Sequence, residues 1–387
     1  MPFDQPRGFA RTEEERFGEA GSLGMRRFMR RLAPELDNFR AALGCAAADG
    51  GDPALAISLA GAAAEMYRTM GISEELLVAM RGLLDAVERA PDNLSVAIFL
   101  TGMTMLGSVG RESNQTQLRA DLRTERILRS LGSRRRLYYA LYGQGWNHMS
   151  SGNFDDANRL LGELGSLELP AWPAWVRALR LNLHGCICMN QERHGEGLPV
   201  LLEQYALLEG EPEEPGRRAA CIVNICAILG STRRFEEILD YARLAGEGPG
   251  TIDALVDRGY RGYIDWMKIG ALAFLGRLDE ADRVMHEAMA GWRRDGLLPV
   301  CLGMLAMLMA MRRRWDAAAR LTGAALAFWK RRGIRPYVYL RLAIERAQEL
   351  LQAAAIDAHE RERWQREGAV MDDAALATMC LETPERD

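Results

Sequence analysis

Between Tyr138 and Ala325 one short pattern recurs: a small residue, Gly or a polar residue seven places on, an apolar anchor two later, and a small residue three after that. The clearest copy is Gly145, Gly152, Phe154, Ala157; a second is Ile269, Gly276, Leu278, Ala281, with Ala288 beyond it. Others align as Gly185, His194, Gly197; as Cys226, Phe235, Ile238, Ala245; and as Ala306, Trp315, Ala318, Ala325. The last small position falls at 157, 197, 238, 281 and 318, giving steps of 40, 41, 43 and 37 residues. A step of that size holds two helices and marks a stacked helix-hairpin repeat. Antiparallel helices approach closely where each offers a small side chain to the other's ridge. Ala157, Gly197, Ala281 and Ala318 are therefore expected at the contacts, with Phe154, Leu278 and Trp315 plugging the turns. A single hairpin leaves its apolar face uncovered, so neighbours are expected to stack into a superhelix with a concave wall.

Composition agrees with an all-α chain. The 387 residues are 48% hydrophobic and 26% charged, rich in Ala, Leu, Arg and Glu, and poor in β-branched runs. A net charge of -4 provides no global attraction to nucleic acid. Local basic clusters at Arg26, Arg27, Arg30 and Arg31, at Arg134 to Arg136, at Arg312 to Arg314 and at Arg331, Arg332 and Arg335 read as solvated helix ends and hairpin corners. Seven cysteines on apolar helical stretches suit reduced, buried thiols in a cytosol. With its first sixteen residues polar and charged, no secretory signal is expected. The longest uncharged run, Gly296 to Met311, is short for a membrane span and reads as buried core. A cytoplasmic protein that does not enter a membrane is expected.

Breakers divide the chain. Residues 1–24, with Pro2, Pro6 and four glycines, read as a weakly ordered lead-in. Residues 25–133 read as N-terminal helical hairpins. Asp37 starts a helix through Ala48, Asp52-Pro53 caps the next to Met70, Ser73 caps the following one, and Pro91 closes that hairpin. Helices from about Leu94 to Ser108 and Asn114 to Leu131 follow. Residues 134–332 hold the five repeats, jointed at Leu169-Pro170 through Pro173, Glu211 to Gly216, Gly246 to Gly250 and Leu298-Pro299. Residues 333–387 would cap the open end, with a long helix from about Val338 to Ala355 and a tail to Leu381.

Leu131-Gly132-Ser133-Arg134-Arg135, then Ala140-Leu141-Tyr142 and Ser151-Gly152-Asn153-Phe154-Asp155-Asp156-Ala157, resembles the tetratricopeptide-type repeats of large bacterial signal-transduction ATPases that regulate transcription. Leu32 to Leu43, Gly51-Asp52 and Ala56 to Ala60 look like the entry to their C-terminal sensor region, and Ala317 to Gly323, Trp364, Glu367-Gly368 and Ala374-Ala375 like its closing segment. The resemblance implies a right-handed α-solenoid of tetratricopeptide-like hairpins working as a sensing or interaction module. In that family a DNA-binding domain and a P-loop ATPase precede the repeats. This chain departs from that pattern, since a P-loop needs Gly-Lys before Ser or Thr, whereas Lys268 follows Met267 and Lys330 follows Trp329. The chain is expected to be the sensor part of a longer regulator or a free-standing remnant.

Tetratricopeptide proteins usually bind ligands with the inner positions of each hairpin's first helix. Carried over by register, these are Tyr139, Tyr142, Trp146 and Met149; Leu179, Asn182, Cys186 and Asn190; Val223 and Ala227; Tyr263, Trp266 and Phe274; and Val300, Met307 and Met311. That aromatic and Met-rich face favours a protein or peptide partner, a partner helix or a small apolar effector, with no direct contact to nucleic acid. The same residues would equally suit core packing. His184, Cys186 and Cys188, with Cys221 and Cys226, raise a metal reading, but positions 184 and 188 share a helical face that 186 does not. Asp155-Asp156 and Asp372-Asp373 sit where helices begin and offset the helix dipole. No cofactor, metal or catalytic set is expected. Two other readings stand beside the sensor: a structural adaptor working through its outer surfaces, favoured if the inner wall is filled by its own side chains, and a helical-toroid enzyme with a carboxylate-lined centre.

Overall fold

The hairpin turn explains why the repeat reads as it does. Seven residues after the leading small position, all five copies place one residue in the left-handed region: Gly152 (φ 79°), Glu192 (61°), Arg233 (60°), Gly276 (76°) and Arg313 (60°). The following residue's N–H then donates to the carbonyl five positions back, as in Asn153 to His148 at 2.8 Å and Arg314 to Met309 at 2.9 Å. This is the Schellman closure, which satisfies carbonyls that a helix end leaves unpaired. Glycine takes this conformation freely in two copies, while Glu192, Arg233 and Arg313 take it against the Cβ clash that disfavours it.

The computed structural model describes residues 24–107, 114–211, 213–246, 258–332 and 336–382. Of the lead-in expected over 1–24, residues 1–23 lie outside the described residues, as do most of the joint at 246–250 and residues 333–335. Among the described residues all regular structure is helical. The first helices are α1 (Met25–Leu32), α2 (Leu36–Ala47), α3 (Pro53–Thr69), α4 (Ser73–Gly82), α5 (Leu84–Arg89), α6 (Leu94–Gly107) and α7 (Asn114–Ser130). The five pairs are α8 (Arg134–Ser150) with α9 (Phe154–Leu167), α10 (Ala174–Asn190) with α11 (His194–Glu209), α12 (Pro215–Ser231) with α13 (Phe235–Gly246), α14 (Arg258–Phe274) with α15 (Leu278–Arg294), and α16 (Leu298–Met311) with α17 (Trp315–Arg332). The chain ends in α18 (Val338–Ala353), α19 (Ala358–Gly368) and α20 (Asp373–Leu381).

Two local expectations need correction. Ser73 is the first residue of α4 and not its cap; Ile72 holds the cap position and makes no side-chain bond. The helix expected to run on to Pro91 breaks at Leu83 into α4 and α5. Asp52 does cap α3, accepting from the N–H groups of Ala54 (3.0 Å) and Leu55 (3.1 Å). The uncharged run ending at Met311 is core, with residues 301–310 of α16 all buried. Among the described residues no helix is long and apolar enough to cross a membrane.

The repeat's small positions are interior. Ala157, Ile238, Ala281 and Ala318 are fully buried, and Gly197 is buried too. On α8, a methyl on Gly145 would sit 2.6 Å from Leu183 Cδ2, so α10 packs directly on its backbone. The chain divides into two compact units, one comprising residues 1–187 and 203–217, the other 188–202 and 218–387. In the second unit α17 and α19 cross backbone to backbone: a methyl on Gly323 would overlap the Gln365 carbonyl, and one on Gly368 the Arg320 carbonyl.

Candidate binding site

The inner positions meet different fates in the two units. In the first unit, α8 carries Tyr139, Tyr142 and Trp146 along one face because their spacings of three and four bring them one above another. The ring centroids of Tyr139 and Tyr142 lie 6.4 Å apart, and those of Tyr142 and Trp146 6.3 Å. Tyr139 is nearly buried and Met149 fully so, while Tyr142 and Trp146 are half-buried. From α10, buried Asn182 accepts a hydrogen bond from the Tyr142 hydroxyl at 2.9 Å. Its own amide reaches Gln204 on α11 at 3.5 Å. Leu179 and Cys186 are core. The structure thus joins Tyr139, Tyr142, Trp146 and Asn182 into one aromatic face with an amide at its edge.

Sequence reasoning missed the charged cluster behind that face. Glu65, a lone acid in the alanine-rich α3, is 2% exposed. It accepts from Arg68 through both oxygens (2.9 and 3.1 Å) and from the Tyr139 hydroxyl at 3.1 Å. Arg217 brings Nη2 to 3.9 Å from the same carboxylate, donates through Nε to Glu214 at 3.0 Å, and lies 4.8 Å over the Trp175 ring. Burial opposes the Arg217 charge, but Glu214, Tyr139 and Glu65 outweigh it and hold the guanidinium above its ordinary pKa. Glu214 also accepts from the Met25 N–H at 2.7 Å, tying α1 to the start of α12. The available signal was one acid interrupting the run Ala62-Ala63-Ala64, where an apolar residue would be the ordinary choice.

In the second unit the chain itself packs against Trp266 and Phe274. Tyr339, at the start of α18, is fully buried, with ring centroids 6.2 Å from Phe235, 6.2 Å from Phe274 and 6.4 Å from Trp266. Its hydroxyl donates to the Met267 carbonyl at 3.1 Å, and its N–H donates to Ser231 Oγ at 3.2 Å. Two glycines make the seat, since a methyl on Gly230 or Gly270 would overlap the tyrosine. Tyr337 adds a second ring 6.2 Å from Trp266. Trp266 and Met307 are core, and Tyr263, Phe274 and Asn190 are half-buried. Val223, Val300 and Met311 are also half-buried, and Ala227 is interior. Tyr337 and Tyr339, from the segment expected to cap the open end, thus pack on this face.

Other features resolve into packing. Among the described residues no group of three or more His, Cys, Asp or Glu side chains is arranged to hold a metal ion. Burial pushes the thiols of Cys188, Cys226 and Cys301 up, and that of Cys380 up to about 12, which leaves them poor nucleophiles. Asp155 and Asp156 lie in the first turn of α9, and Asp372 caps α20 through the Ala375 N–H at 2.8 Å. Several clustered arginines bind carbonyls: Arg134 reaches Leu167 at 2.7 Å, and Arg314 reaches Met379 at 2.6 Å and Cys380 at 3.2 Å. Arg312 instead pairs with Asp279 and Asp282. No model of a known protein family matches the chain, and no curated protein is detectably similar to it in sequence.

Proposed function

We propose that the chain is a non-catalytic interaction module whose helix pairs stack as a right-handed, tetratricopeptide-like solenoid, and that it holds a partner helix or apolar peptide on the face formed by Tyr139, Tyr142, Trp146 and Asn182. The observation that carries the reading is the half-burial of Tyr142 and Trp146 beside an amide, where the same positions of the second unit lie beneath Tyr337 and Tyr339. Amphipathic rings of this kind offer large contact area at small entropic cost, with a polar tip to fix register. The place of the module in transcriptional regulation, and a bacterial cytoplasm as its compartment, rest on the sequence resemblance and the thiol usage.

A photocrosslinking residue at position 146 tests the reading in the full chain, with the same residue at Val370, which is 86% exposed, as comparison. A discrete adduct at 146 that is absent at 370, and lost when Tyr142 is changed to Ala, is the expected result. No adduct at 146, or the same adducts at both positions, would overturn it. The adaptor reading draws support from the second unit, whose inner face is filled by its own tyrosines. The enzyme reading gains two interior carboxylates, but Glu65 and Glu214 are each held by an arginine, the arrangement of a structural ion pair.

A further inference from the structure

In the first unit a groove of about 280 Å³ lies where the residue after α9 meets α10 and the last turns of α11. That volume is close to the lower end of the range for small-ligand sites, about 300 Å³. Buried Leu181 of α10 and half-buried Leu207 of α11 supply its apolar surface, with Ala206 at the edge. Two of its four charges neutralise each other. Glu168 accepts from Arg180 Nε at 2.9 Å and from the Tyr138 hydroxyl at 2.9 Å, and Arg180 Nη2 lies 3.5 Å from its other oxygen.

The other two charges, Arg177 and Glu203, are open. Arg177 donates through Nε to the Trp172 carbonyl at 3.2 Å, which holds the side chain and leaves both Nη groups without an acceptor among the described residues. Glu211, whose carboxyl senses the Arg177 charge, accepts instead from the Ala174 N–H at 3.1 Å. Glu203 is exposed and makes no hydrogen bond or ion pair among the described residues. The bond from Asn182 to Gln204 sets the register of the antiparallel helices, and in it Arg177 and Glu203 stand about six residues apart along the groove, a rise of about 9 Å, with Arg180 midway. Side chains lean toward the N-terminus of their own helix, so in an antiparallel pair these two heads move further apart. An anion would find one open cation and meet Glu203 in the same groove, and an amine would find the reverse. An uncharged apolar guest would desolvate Arg177 without compensation. A zwitterion suits both ends. A single α-amino acid is too short for this span, whereas a dipeptide adds one Cα to Cα step of about 3.8 Å between its charges.

We propose that this groove is a binding site for a short peptide with both termini free, in its minimal form an apolar dipeptide. Its carboxylate lies on the Arg177 fork, a geometry that guanidinium and carboxylate share. Its ammonium lies on Glu203, and its apolar side chain rests on Leu181 and Leu207. Arg180 Nη1, which makes no bond within the described residues, faces the middle of the span, where the peptide carbonyl falls. The groove shares no lining residue with the face of Tyr139, Tyr142 and Trp146, so the two sites stand or fall separately.

Calorimetric titration of the full chain with alanyl-leucine, its N-acetyl form, its C-terminal amide and free leucine tests the proposal. Alanyl-leucine is expected to bind, and each blocked form to bind at least about tenfold more weakly, since each loses a charge-assisted bond. Leucine, which reaches only one of the two charges, is expected to be weaker by a similar factor. Arg177→Gln is expected to weaken alanyl-leucine about tenfold and to leave the amide unchanged, because the amide has no carboxylate for that residue to hold. Glu203→Gln is expected to weaken alanyl-leucine about tenfold and to leave the N-acetyl form unchanged. Should Arg177→Gln disturb the helix start by releasing the Trp172 carbonyl, as circular dichroism would show, Glu203→Gln still decides, since that side chain is exposed and bonds nothing. The proposal fails if alanyl-leucine does not bind at millimolar concentration, if the free and blocked forms bind alike, if leucine binds as tightly as the dipeptide, or if Glu203→Gln leaves the affinity for alanyl-leucine unchanged.

Discussion

Asp121 shows how a single interior acid can set a pH dependence. It lies on α7, 8% exposed, where its carboxylate accepts from Thr104 Oγ1 of α6 at 2.9 Å, while its backbone carbonyl accepts from Gln144 of α8 at 3.2 Å. Burial pushes its pKa up to about 7, against the opposing Thr104 bond, and Glu125 one turn on adds to the rise. The sign follows from the two states. Below about pH 4 the carboxyl is protonated whether the chain is folded or not. Between about 4 and 7 the unfolded chain has released the proton and the folded chain keeps it, so folding stability falls as pH rises, by at most about 1.4 kcal/mol per pH unit. Above 7 the folded state carries a buried, ionised group. Asp121→Asn keeps the shape and lacks the titration. Its stability relative to the natural chain is expected to increase progressively from pH 4 to pH 7 in urea unfolding, and a difference that stays flat across that window would show that Asp121 is better solvated than its surroundings indicate.

At the scale of the element, the hairpin turn was the most legible feature, because the backbone conformation it requires restricts residue type. Gly152 and Gly276 announced their turns, whereas Glu192, Arg233 and Arg313 were detectable only by register, being polar residues in a conformation that glycine prefers. Their side chains have separate reasons to be there in at least one case, since Glu192 is ion-paired with Arg341 at 2.7 Å. Arg233 is exposed and has only the strain. Arg233→Gly is therefore expected to stabilise the chain by up to about 1 kcal/mol, the left-handed penalty less the entropy of an added glycine. Gly152→Ala should do the opposite by about the same amount. Paired urea denaturation midpoints at constant slope check both, and equal midpoints for Arg233→Gly and the natural chain would mean that the turn relaxes around its arginine. Helix boundaries were legible to within a residue or two wherever Asp-Pro or Gly marked them. The break at Leu83 follows Gly82, but glycine also continues helices elsewhere in the chain, as at Gly61 and Gly102, so that mark did not distinguish it.

Across the whole molecule, the helical class could be read from periodicity, but which of the positions assigned by register to a binding wall stay accessible could not. Periodicity assigns a residue to a face of its own helix; it carries no information about a segment arriving from 65 residues further along, as Tyr339 does relative to Phe274. Glu65 and Arg217 escaped for the same reason, since their pairing spans α3 and α12 and neither lies in the repeat register. The second unit therefore makes a sharp prediction about its own integrity. Tyr339 fills a seat bounded by Phe235, Trp266 and Phe274 and floored by Gly230 and Gly270, with no side chain on either glycine to close the space if the ring is removed. Tyr339→Ala should leave a cavity lined by aromatic rings and lower stability by about 3–5 kcal/mol. Tyr339→Phe keeps the ring and loses only the bond to the Met267 carbonyl, about 1 kcal/mol. Chemical denaturation of the two variants separates packing from hydrogen bonding at this position. A small effect of Tyr339→Ala would mean that the face beneath it closes by other means or stands open, and would return Tyr263, Trp266 and Phe274 to the set of accessible binding residues.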